Sequence, residues 1–285
     1  MVLAMSSWIG RAQVSIPALI VVVALGYLVL AWASFFLIDV YNVLGSRDAL
    51  EARMTVPKTW VHLFREGNPT EWLQWTALGA TALVSARLGG RLAAAGQYGA
   101  ASFWAIFGVA AVLMLIEDAG NPRHRLANYG ESMFGVPSTA TELVYFAALA
   151  SVPLYALLRY GRHVWSTLTT RRYLIAGVVF YGIAGGASGT RAIGSWYTEI
   201  GTAFDQRLLG GRLLRWDFLG ESTGFWLMDW LVEESLELMG AACLCAAAVA
   251  CLTRSRSVRG NGDAAHSGMR QADRYSRRAD RDDLA

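Results

Sequence analysis

The sequence predicts an all-α, polytopic integral membrane bundle of about six transmembrane helices with short outer interfacial helices. Hydrophobic residues make up 54% of the 285-residue chain and charged residues only 16%; soluble domains average about a quarter charged. The apolar residues gather in runs near the roughly 20 residues that a membrane-spanning helix needs. The charges collect between those runs. A formal net charge of +3 is therefore uninformative about partners, and no nucleic-acid partner is expected.

Six runs qualify as spans, at about 16–40, 71–94, 99–118, 138–159, 173–196 and 226–252. The first follows Arg11, and with Ala31-Trp32-Ala33 it has the outline of a signal peptide. Its continuation through Phe35-Phe36-Leu37-Ile38 favours an uncleaved span. The second is the weakest, because Arg87 and Arg91 interrupt its end; both can snorkel to the interface. In the stretch G-N-P-T-E-W at 67–72, Asn68 fits a helix N-cap, Pro69 the first helical position and Glu71 a capping carboxylate. The third span ends at Glu117-Asp118, where Gly120 and Pro122 stop it. The fourth opens with S-T-A-T-E-L, in which Thr139 and Glu142 form a capping box. On that reading Glu71 and Glu142 need no functional explanation. The fifth carries the small-xxx-small pairs Gly182/Gly186 and Gly185/Gly189, which let another helix approach closely.

Between the spans, Asn121 and Pro122 start a short amphipathic helix with Leu126, Tyr129, Met133 and Phe134 near helical spacing. It is expected to lie on the outer interface. Residues 57–66, with Trp60, Val61, Leu63 and Phe64, are expected to do the same. Trp72, Trp75, Trp196, Trp226 and Trp230 fall where an aromatic belt belongs.

Arg11, Arg87, Arg91, Arg159, Arg162, Arg171, Arg172 and eight tail arginines lie on the side of the termini, 15 of the 25 Lys and Arg residues. That bias predicts a plasma-membrane protein with both termini cytoplasmic. The 17 carboxylates outside the tail all fall in the opposite loops or at the span ends that face them. The organisation is therefore a transmembrane domain over 1–253 and a disordered cytoplasmic tail over 254–285. The tail is too polar to bury a core, and its arginines are suited to anionic lipid headgroups. Lys58 is the single lysine, which with abundant Ala and Gly points to a high-GC bacterial source. Cys243, Cys245 and Cys251 all sit in the last apolar run and read as small buried side chains, not a disulfide framework.

The sixth span poses the functional question. It carries Asp229, Glu233, Glu234 and Glu237, and at 1.5 Å per residue Glu237 lies ~16 Å below Trp226. Charge at that depth costs at least ~2.5 kcal/mol. Glu117 and Asp118 end the third span at the same level, His124 follows close by, and Arg191 closes the fifth. An ion pair of Arg191 with Glu234, or with Glu117, Glu233 or Glu237, would glue helices together. The surplus negative charge predicts more, an outward-facing carboxylate-rich pocket. Its expected catalytic residues are Glu233 and Glu237. A divalent metal ion is the cofactor such donors suit, with Glu117, Asp118, His124, Glu233 and Glu237 as ligands. No H-E-x-x-H, G-x-S-x-G or P-loop is present.

Three functions compete on these grounds. One is a cation-dependent enzyme acting on a lipid or envelope precursor, in which a metal-bound water is activated and a spare glutamate is the base. A second is a proton- or cation-coupled secondary transporter, against which stands the lack of acids at the inner end of span three that an inverted repeat would require. The third is a non-catalytic assembly or sensor subunit that binds another membrane protein. The partners expected are the lipid bilayer and either a lipid-like substrate or a membrane partner.

Overall fold

A computed structural model describes residues 15–45, 58–165, 167–213 and 222–254. The described residues are all helical, without strands, and five helices are long and apolar enough to cross a membrane. The chain is thus a helical membrane bundle. Arg11 and the predicted tail after Arg254 lie outside the described residues.

In chain order the helices are α1 (Ile16–Val40), α2 (Thr59–Phe64), α3 (Pro69–Ala94), α4 (Tyr98–Gly120), α5 (Pro122–Phe134), α6 (Ser138–Tyr160), α7 (Leu168–Thr190), α8 (Trp196–Leu208) and α9 (Thr223–Arg254). The five apolar spans include α1, α4, α6, α7 and α9. The second expected span, α3, has the length to cross at 26 residues but not the apolar composition. Its polar residues explain this, because they point inward: Thr70, Glu71, Gln74, Thr81 and Ser85 are buried, whereas Trp72 and Leu83 are exposed. A helix whose polar stripe faces protein and whose apolar stripe faces outward is the reverse of the soluble pattern and suits a lipid surround.

Two glycine contacts set how α9 sits. A methyl at Gly177 of α7 would strike Leu244, and one at Gly240 of α9 would strike the Tyr181 ring, so α7 and α9 cross with little between them. A methyl at Gly201 of α8 would collide with the Gly224 carbonyl, which presses α8 onto the start of α9. Below Gly240, Ala241, Ala242, Cys243, Leu244, Cys245, Ala246, Ala247 and Ala248 are all buried. Leu244, Ala247 and Ala248 share a core with Leu88, Phe103, Trp104 and Leu174. The three cysteines are free thiols.

The interfacial elements divide. In α5, Leu126, Tyr129, Met133 and Phe134 are exposed, as an amphipathic interfacial helix requires. Asn121 takes the left-handed conformation, φ 47°, that ends α4 and lets Pro122 start α5. The segment 57–66 is different. Trp60, Val61 and Phe64 of α2 are buried in the core that joins α1 to α9. Both Asp39 carboxylate oxygens accept from the first amides of α2, Thr59 N at 2.9 Å and Trp60 N at 2.9 Å, which anchors that helix inside the bundle. The aromatic belt is corrected likewise. Trp72 is exposed, but Trp226 and Trp230 are buried and meet with ring centroids 4.4 Å apart and planes tilted by 35°.

Candidate functional site

The first turns of α9 do not form a regular α-helix. Leu227–Glu233 is a π-helical segment, and such segments recur at functional sites because they insert one residue into the turn and re-aim its neighbours. Here Asp229, Glu233, Glu234 and Glu237 all line one cavity of about 340 Å³. α4 adds Glu117 and Asp118, the ends of α5 and α7 add Arg123 and Arg191, and Glu66 and Glu71 close the top. Away from these groups the cavity becomes apolar. Phe146, Leu149, Pro153, Leu154 and Leu157 form a stripe along α6, facing Phe107, Met114, Val178 and Gly182. Among the residues of α6, Ala156 alone is fully buried, so α6 is the loosest wall.

The cavity floor is organised by an uncharged residue. Gln74 Nε2 donates to Asp118 Oδ2 at 2.6 Å and to Glu237 Oε2 at 2.8 Å. One amide from α3 therefore holds the acids of the third and sixth expected spans side by side. Its two donor contacts fix the amide orientation and leave Gln74 Oε1 buried without a partner. Glu234 Oε2 is also buried without a partner, on a residue 8% exposed.

Glu233 belongs to the opposite wall. Its Oε2 accepts from the Tyr197 hydroxyl at 2.7 Å, a contact that depends on the glycine crossing of α8 and α9. Burial, then the charges of Glu233 and Asp229, pushes the Tyr197 phenol well above its ordinary pKa, so it remains a donor.

The guanidiniums are spent on a network at the rim. Arg191 donates from one NH₂ to Asp229 Oδ1 at 2.5 Å and from the other to His124 Nε2 at 3.2 Å. His124, protonated on Nδ1, donates to Glu142 Oε1 at 2.9 Å. The chain Glu142–His124–Arg191–Asp229 ties α6, α5, the end of α7 and α9 together. Arg123 bonds Ser188 Oγ at 3.0 Å, stands 3.5 Å from Glu117 and lies over the Phe146 ring.

Several sequence expectations change at this point. Arg191 was expected to pair with Glu234, or with Glu117, Glu233 or Glu237; it pairs with Asp229, because the π segment turns Asp229 toward α7 and leaves Glu234 facing the cavity. Glu142 was read as a capping-box residue, but its carboxylate meets His124 and the helix is entered through Pro137. Glu71 does cap, accepting from Gly67 N, yet it also lines the cavity. The expected metal ligands Glu117, Asp118, His124, Glu233 and Glu237 are not gathered into one shell. His124 uses both ring nitrogens on Glu142 and the arginines, Glu117 faces Arg123, and Glu233 lies with Tyr197. Among the described residues no three His, Cys, Asp or Glu side chains are grouped to hold a metal ion. Gln74, Tyr197 and Arg123 escaped the sequence reading. Gln74 carried a signal, a lone amide in the apolar stretch W-L-Q-W; Tyr197 carried none, since its role rests on how α8 folds back.

Comparison of the chain with family models, with curated proteins and with solved structures finds no match.

Proposed function

We propose that this membrane protein takes a lipid-like amphiphile from the bilayer, holds its head among the carboxylates and hydrolyses a bond in that head by general acid–base catalysis. The supporting observation is the cavity itself, whose one end is carboxylate-lined and whose other end is apolar. A polar molecule alone would leave the α6 stripe facing empty apolar space, and a hydrocarbon alone would leave the acids unanswered. The loosely packed α6 supplies the side through which a chain slips in. The arginine bias of the sequence sets the termini in the cytoplasm of a plasma membrane and opens the acidic end toward the outer half.

Asp118 and Glu237 are the reacting pair in this account. Held on one amide, they can carry one proton between them, so that one takes the proton of an attacking water as its oxygen bonds to the head and the other gives a proton to the leaving group as the bond to it breaks. Glu233, oriented by Tyr197, positions the head from the other wall. The donor set does not fit a metal shell, because His124 is occupied by Glu142 and the arginines and Glu117 faces Arg123. The test is reconstitution in a mixed bacterial lipid extract, followed by mass spectrometry of headgroups. Wild type changes the headgroup composition with time, and Glu237→Gln, folded to the same degree, does not. Identical compositions with both proteins would sink the enzymatic reading.

Proton- or cation-coupled transport is the second reading. It draws on Glu233, which borders the main cavity and also a second one of about 320 Å³ between α7, α8 and α9. A carboxylate that borders two cavities suits alternating protonation. Proton uptake into proteoliposomes that needs Glu233 but leaves lipid composition unchanged would favour it.

A further inference from the structure

The bookkeeping of donors and acceptors in the cavity carries the proposed amphiphile reading one step further, to the chemical class of its head. Eight carboxylates line the cavity against two guanidiniums. Both guanidiniums are committed, Arg191 to Asp229 and Arg123 to Glu117. Asp118, Glu237 and Glu233 are met by neutral donors only, from Gln74 and Tyr197. Three acceptors are met by no hydrogen bond: Gln74 Oε1, on a fully buried residue, Glu117 Oε2 and Glu234 Oε2. Burying an acceptor without a partner is costly, and more so for a charged one. Among the described residues of the cavity and its floor the unpartnered acceptors, Gln74 Oε1, Glu117 Oε2 and Glu234 Oε2, outnumber the unpartnered donors, Arg123 Nε and the Tyr181 hydroxyl, and the local charge is negative.

We infer that the ligand's head is a protonated amine, and that the molecule is a long-chain ammonium amphiphile. A primary ammonium offers three N–H donors and no acceptor, which complements the unanswered oxygens and the surplus charge. A phosphate or carboxylate head would add acceptors and negative charge to a site already in excess of both. A hydroxyl head supplies one donor and no charge. The chain occupies the apolar end, where α7 presents glycine. A Cβ at Gly182 or at Gly185 would meet no atom within 4 Å, and both residues line the cavity. The space beside them is open to an alkyl chain.

The test is binding to the full chain in nanodiscs, with empty nanodiscs subtracted, using dodecylammonium, dodecanol of equal length, and calcium chloride as probes. The amine binds at least tenfold more tightly than the alcohol. Glu234→Gln removes most of that preference and leaves the alcohol unchanged. Gly182→Leu, whose Cβ meets no protein atom within 4 Å, weakens amine and alcohol together at least fivefold without lowering thermal stability. Equal affinity for amine and alcohol in wild type would overturn the ammonium head while leaving an amphiphile site standing. Binding of neither would overturn both this inference and the proposed function. Calcium chloride that displaces the amine, at an ionic strength where sodium chloride does not, would overturn it in favour of a metal site.

Discussion

The two halves of α9 are built on opposite principles. Below Gly240, residues 241–248 are alanine, cysteine and leucine, all buried and packed against α3, α4 and α7. From Gly240 up, the helix contains a π-helical turn and four acids that face a cavity. The lower half has small side chains because neighbouring helices approach closely, and in lipid such packing is a main source of helix association. The upper half gives up packing and regular hydrogen bonding. Its carboxylates are held in place by groups from four other helices: Gln74 of α3, Arg191 at the end of α7, Tyr197 of α8 and, through His124, α5. The lower half thus supplies the stability that lets the upper half keep unanswered acceptors.

Substitutions can break this contrast. The largest effect is expected at Arg191. Arg191→Ala leaves Asp229 buried without its cation, a loss of about 3–5 kcal/mol, read as a fall in the unfolding temperature in detergent. Asp229→Asn in the same background should recover a large part of it. If Arg191→Ala keeps wild-type stability, the rim network is not structural. Tyr197→Phe comes next, costing roughly 1.5–3 kcal/mol because Glu233 loses its hydroxyl donor. The Tyr197 phenol holds its proton to a pH above the ordinary ~10. The difference between wild type and Tyr197→Phe should therefore be as large at mildly alkaline pH as at neutrality.

In the lower half, Ala246→Leu forces a side chain into a site with no exposure and should cost ~1–3 kcal/mol. Amphiphile binding per folded molecule should not change. A selective loss of binding there would show that the halves are not separable. Glu237→Gln is expected to be the mildest. It keeps the volume and an acceptor for Gln74, so stability should stay within about 1 kcal/mol of wild type, while headgroup turnover disappears.

The contrast was partly legible in the sequence. Acids within an apolar run are conspicuous, since charge in a membrane demands a reason, and that pointed at Glu233 and Glu237 without any tertiary information. Glu71 and Glu142 were hidden because each fits a local cap, and a local explanation says nothing about what else a carboxylate touches. The Arg191 partner was missed for a geometric cause. The expectation placed acids on a regular helix of 3.6 residues per turn, and the π segment at Leu227–Glu233 shifts that register. The burial of Trp60 and Trp226 escaped for a different reason. An aromatic belt and an aromatic core share one composition, and Asp39 capping α2 from 20 residues away leaves no pattern in the chain.

The most direct measurement is photolabelling of the reconstituted protein with a long-chain amine that bears a diazirine in its chain, mapped by peptide mass spectrometry. The cavity wall at Phe107 and Ala111 is buried from the lipid surround. Label is expected on the peptide that contains these residues, competed by unlabelled dodecylammonium and lost in Gly182→Leu. Label confined to exposed positions such as Val22, Leu30 and Leu83, unaffected by competitor, would contradict an amphiphile bound within the bundle.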